Sequence, residues 1–188
     1  MSTCCATNPA FDQFRKSIGS PRQPPAEKIA NNDEIKQISE TDGLKIWADG
    51  SVSGSDGTPK DPPPFIDSTQ DRLKELWAVR QDDVVSAQEM CEFGKKLETG
   101  KIKHTNLTGG APAFSGGELI RMSETIVAIN GCSGRYGPRT PEEMHLIEQA
   151  FAKSGYHILT MGYDQDANRP LPFVGVRPRW VERVDNDL

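Results

Sequence analysis

Between Glu118 and Met161 two β-branched runs, a strongly capped helix and a third apolar run follow one another, and few architectures accept that order. Glu118–Met122 and Thr125–Asn130 are rich in Ile, Leu and Val and are separated only by Ser123-Glu124, so they predict two strands closing on each other. Thr140 then stands where an N-cap belongs, with Pro141 at the first helical position and Glu143 three residues on, the pattern of a full capping box. Met144, Ile147 and Phe151 supply the buried stripe of that helix, and Gly155 stops it. Tyr156–Met161 and Phe173–Val176 predict further strands, joined by the polar loop GYDQDANRPLP.

Upstream the pattern predicts helices. The run STQDRLKELWAVR opens on an S-x-x-D cap and sets Leu73, Leu76, Trp77 and Arg80 along one helical face. A second helix is predicted from about Asp83 to Leu97, with Ala87, Met90, Cys91 and Leu97 on its stripe and Thr99-Gly100 at its end. Lys101–Leu107 is predicted to be extended, and Thr108–Gly117, with four glycines, to be a loop. Leu44–Val52 has the form of a hairpin turning at Asp49-Gly50, followed by a linker rich in Gly and Pro. The fold class expected is α+β, with N-terminal helices followed by a mainly antiparallel sheet carrying one inserted helix.

For 188 residues, one domain is the default. A mean hydropathy of -0.59 is polar for a compact domain, which places part of the chain outside the core. Residues 1–40 lack a sustained period and are expected to form a flexible N-terminal segment, although Phe11, Phe14 and Ile18 at helical spacing offer one short docking helix. Residues 41–188 are then a single α+β domain.

A net charge of -5 argues against bulk nucleic-acid binding, which needs clustered Lys and Arg. The first residues have no basic and apolar signal pattern, and no apolar run approaches the ~20 residues that span a bilayer. The expected location is cytoplasmic, or outside the cell by a route without a cleaved signal. Cys4, Cys5, Cys91 and Cys132 show no metal or redox spacing, so reduced thiols and no metal are expected; the Cys4-Cys5 pair also offers an acylation site.

Four residues in a window of 33 combine the chemistry of a site: His104, Glu118, Arg135 and Tyr136, on the edges of glycine-rich loops. They supply an imidazole, a carboxylate, a guanidinium fork and a phenol. Each also has an ordinary structural role open to it. His145 and His157 read as structural, and Cys132 as a small buried thiol. Ser115 and Ser133 sit near glycines but not in G-x-S-x-G.

The order H-x-x-L-x-G-G-x-P-x-x-S-G-G-E-L, then a strand, then S-G-R-Y-x-P and a helix, resembles a module of two groups. One is the C-terminal domains of bacterial polymorphic toxins of the rearrangement-hotspot type, and the other is the plant IQ-motif calmodulin-binding proteins. The matching residues are His104, Leu107, Gly110, Gly117, Glu118, Leu119, Ser133, Gly134, Tyr136 and Pro138, within residues 101–156. Arg135 stands where that module usually has histidine, Ser115-Gly116 replaces two alanines, and no IQ motif is evident. The resemblance implies a toxin or effector. One expectation is a mono-ADP-ribosyltransferase in which His104 and Tyr136 hold NAD and Glu118 stabilises the ribosyl cation. A metal-independent ribonuclease would pair His104 with Glu118 and place Arg135 on the phosphorane. A non-catalytic effector would use the Arg-Tyr loop to dock a protein partner.

Overall fold

Thr140 caps its helix as its position predicts: its Oγ1 accepts the Glu143 N–H at 3.1 Å, and the helix runs from Pro141 to Lys153. The expected capping box closes only halfway. The Glu143 carboxylate takes the Arg139 N–H at 2.9 Å and pairs with Arg22 instead of reaching back to Thr140.

The computed structural model describes residues 8–50, 52 and 57–184, so the Cys4-Cys5 pair and most of the linker's start lie outside it. Its helices are α1 (Pro9–Ile18), the single turns α2 (Ser68–Asp71), α3 (Glu92–Lys95) and α4 (His104–Thr108), and α5 (Pro141–Lys153). Its strands are β1 (Lys45–Ile46), β2 (Glu75–Val79), β3 (Val84–Gln88), β4 (Ser115–Arg121), β5 (Ile126–Asn130), β6 (His157–Thr160), β7 (Tyr163–Asp164), β8 (Arg169–Pro170) and β9 (Arg179–Trp180). Among the described residues seven strands form one sheet in the order β1-β3-β2-β4-β5-β6-β9. Every pairing in it is antiparallel except β5 with β6, which α5 connects, as a parallel neighbour requires a crossover. The class is α+β with a mainly antiparallel sheet.

The two predicted upstream helices are a hairpin. β2 and β3 pair from Glu75 with Gln88 to Val79 with Val84. Between them the Arg80 guanidinium forks onto the Asp83 carboxylate at 2.6 and 2.7 Å. The physical cause is burial on both faces. All five residues of β2 are buried, Trp77 and Val79 toward α1 and α5, Leu76 and Ala78 toward the opposite layer. A strand apolar on both faces reads as a continuous run, which a helical stripe also fits. The cap signal survives as the single turn α2, with Asp67 rather than Ser68 as its cap. Asp83–Leu97 likewise keeps only the turn α3.

The expected hairpin at Asp49-Gly50 is replaced by two separate contacts. β1 pairs with β3, while Gly50 and Val52 donate their N–H groups to Ser154 and Gly155 at the end of α5. Lys101–Leu107 is not extended, because His104 opens the turn α4. No strand forms at Phe173–Val176; Phe173 packs with Ile120, Ala128, Leu159 and Met161, and β9 follows instead. The polar loop before it contains the small hairpin of β7 and β8.

Residues 8–40 are tied down rather than loose. Phe11 is fully buried, and the ring of Phe151 meets Phe11, Trp47 and Trp77 at 5.1, 5.2 and 5.1 Å between centroids. Arg15 donates to the carbonyls of Arg80 and Asp83, and Ile38 is buried under the other face. The docking helix offered by Phe11 and Phe14 is therefore α1. It forms because α5 alone leaves part of the sheet's apolar face uncovered. No described helix is long and apolar enough to cross a membrane.

Candidate functional site

Two consecutive glycines at the head of β4 open both faces of the sheet. Gly117 faces α5, and a Cβ there would lie 2.1 Å from the Asn130 carbonyl oxygen and 2.6 Å from the Trp77 ring. The indole lies in that gap and donates Nε1–H to the Glu118 carbonyl at 3.0 Å. Gly116 faces the other way, and a Cβ there would approach His104 and Tyr136 at 3.2 Å each. Glycine inside a strand marks such close approach.

His104 and Tyr136 therefore meet, but inside the protein. His104 is buried, with Nε2 2.7 Å from the Gly117 carbonyl, so Nε2 carries the proton and donates. Burial, aided by the charges of Arg135 and Lys103, pushes its pKa down to about 4, so the ring is neutral at pH 7. Tyr136 is 1% exposed; its hydroxyl donates to the Ala111 carbonyl at 2.7 Å and lies 2.8 Å from Thr108 Oγ1. Burial raises its pKa. His104 Nε2 and the Tyr136 hydroxyl are thus spent on partners inside the protein.

Arg135 points at an internal partner as well. Its guanidinium forks onto Glu34, with Nη2 at 2.8 Å from each carboxylate oxygen and Nε at 3.2 Å. Thr105 Oγ1 donates to the same carboxylate at 2.7 Å. The N-terminal segment thus supplies the partner of Arg135.

Glu118 lies apart from these three, in a polar group of its own. Its Oε1 accepts Asn130 Nδ2–H at 2.9 Å, and its Oε2 lies 3.5 Å from Lys74 Nζ. Lys74 also reaches Asp71 at 3.2 Å and Glu89 at 3.8 Å. Burial raises the pKa of Glu118; the Asn130 hydrogen bond and Lys74 oppose the rise, and the carboxylates of Glu89 and Asp71 add to it. Burial alone lowers the pKa of Lys74, but Glu118 and its other acidic neighbours reverse the sign and leave it raised. The Cys132 thiol, beside this group, is pushed up to about 12 by burial and by the Glu118 charge, so it is not a thiolate nucleophile.

Glu118 keeps 15% of its side chain exposed, so it is half-enclosed rather than sealed in the core. Sequence reasoning missed Lys74, Asn130 and Glu34. Lys74 falls in a predicted helix, Asn130 ends a predicted strand, and Glu34 lies in the segment expected to be flexible. Among the described residues no three His, Cys, Asp or Glu side chains gather as metal ligands. No protein family, curated protein or solved structure matches the chain.

Proposed function

We propose that the chain is an effector-like enzyme acting on a nucleotide-containing substrate, with mono-ADP-ribosyl transfer from NAD as the reaction that suits it best. The observation that carries this reading is Glu118: a carboxylate with a raised pKa, positioned by Asn130 and charge-balanced by Lys74, with 15% of its side chain exposed. A base whose pKa moves toward neutrality is better matched to proton transfer at pH 7. In the transfer the ribosyl C–N bond breaks, nicotinamide leaves with the bonding electrons, and the acceptor nucleophile attacks the ribosyl carbon as its proton passes to Glu118. The same carboxylate faces the developing ribosyl cation. His104 is a positioning residue in this scheme, since it holds the carbonyl of Gly117 directly before Glu118.

The test is NAD consumption and toxicity on expression. Glu118→Gln keeps the shape and the Asn130 contact and removes the base, so both readouts should fall ~10²-fold or more. A specific observation favours the second reading, a non-catalytic protein-binding module: His104 Nε2, Arg135 Nε and Nη2, and the Tyr136 hydroxyl are all bonded inside the protein. An intact chain that consumes no NAD, with Glu118→Gln as toxic as the parent, decides for that module.

A further inference from the structure

The loop that carries Arg135 and Tyr136 has a second face, and it lines a cavity of about 390 Å³ closed on the other side by the β7–β8 hairpin. Ser133, Gly134, Arg139, Tyr163, Asn168 and Pro170 are among its lining residues, and no carboxylate is. In a chain of net charge -5 that is unusual. The cavity beside Lys45 carries Asp42 and Glu92, and the one between α1 and α5 carries Asp49.

We propose that this cavity binds the phosphate groups of a nucleotide, with Arg139 as the cation and Asn168, Ser133 and the Gly134 backbone as neutral donors. Arg139 is exposed and its side chain makes no hydrogen bond or ion pair among the described residues; the nearby Glu143 carboxylate, which feels its charge, is paired with Arg22, whereas Arg135 is neutralised by Glu34. Its guanidinium fork suits phosphate oxygens. The Tyr163 hydroxyl lies 2.9 Å from both the Arg139 carbonyl and the Asn168 amide oxygen; its one proton serves one of them, and the contact holds the Asn168 side chain at the cavity wall with at least one amide N–H to donate. Ser133 Oγ accepts the N–H groups of Arg135 and Tyr136 at 3.2 and 3.1 Å, so its own hydrogen remains to be donated. A Cβ at Gly134 would meet nothing within 4 Å, so its backbone is open to a ligand. Cys132 Sγ lies 3.9 Å from the Pro170 carbonyl, and Pro170 lines the cavity, which places the wall of this site beside the Glu118 group.

The ligand class rests on the proposed nucleotide chemistry, but the site can be tested without it, using inorganic pyrophosphate and ADP-ribose in calorimetric titrations of the intact chain. Both should bind saturably. Arg139→Ala should weaken both at least tenfold, Asn168→Ala less, and Arg177→Ala, an arginine stacked on Phe65 outside the cavity, not at all. Absence of saturable binding at millimolar ligand, or equal affinity in Arg139→Ala and the parent, overturns the site. Binding that depends on Arg139 in a chain whose NAD consumption ignores Glu118→Gln keeps the site and removes the reaction.

Discussion

At the scale of single residues the side chains that looked most catalytic are the best satisfied, and this makes their ionisation a stability property. His104 has its folded pKa depressed from 6.5 to about 4, so between those values the unfolded chain binds the extra proton. The stability it contributes is complete above pH 6.5 and is lost as pH falls through about 4. The loss is roughly 3 kcal/mol at ~1.4 kcal/mol per pKa unit. Denaturant midpoints at pH 7 and pH 4 should show this slope in the parent and not in His104→Gln. Glu118 works in the opposite sense. Its folded pKa is raised, so its contribution is full below the ordinary carboxylate value and is lost as pH rises through the folded one. Glu118→Gln should therefore stabilise the chain more at pH 7 than at pH 4. Equal shifts at the two values would show that burial does not perturb the carboxylate.

Among elements, the strong and weak signals differ in kind. Thr140→Ala removes an oxygen that accepts a real backbone hydrogen bond, and it should cost about 1 kcal/mol in denaturant titrations. The cap of α5 was legible because it is local: the residue types, the spacing and the proline all act within one turn. The β2–β3 hairpin was not legible, because Leu76, Trp77, Ala78 and Val79 are buried on two faces and their order carries no period of two. α1 is the intermediate case. Its apolar spacing was visible, but only the bare face of the sheet beside α5 turns Phe11 and Phe14 from scattered aromatics into a core. Phe11→Ala should cost 3–5 kcal/mol, the usual range for a buried Phe, and a loss below 1 would mean that α1 is not docked in solution.

For the molecule as a whole, the N-terminal residues bind three regions into one unit. α1 covers α5, Arg15 holds the β2–β3 turn, and Glu34 holds Arg135. A chain lacking residues 1–18 should lose roughly 10–40 °C of melting temperature, by the sum of two buried aromatic side chains at about 3–5 kcal/mol each and 2–4 °C per kcal/mol. Calorimetry that finds the two chains melting within 3 °C would return the segment to the status of a tail.

What the sequence determined by itself is local. The class of the fold, strands β4, β5 and β6, the helix between the last two, and the presence of His104, Glu118, Arg135 and Tyr136 around glycine-framed turns all follow from neighbours within one element. The tertiary structure decided which of those groups is free. Arg135 is consumed by Glu34, 101 positions away, and Tyr136 by Ala111, while Glu118 is left reachable beside Lys74. Hydrogen-bond partners at such separations have no signature in residue order, because an unpaired buried donor costs the same wherever along the chain its acceptor lies.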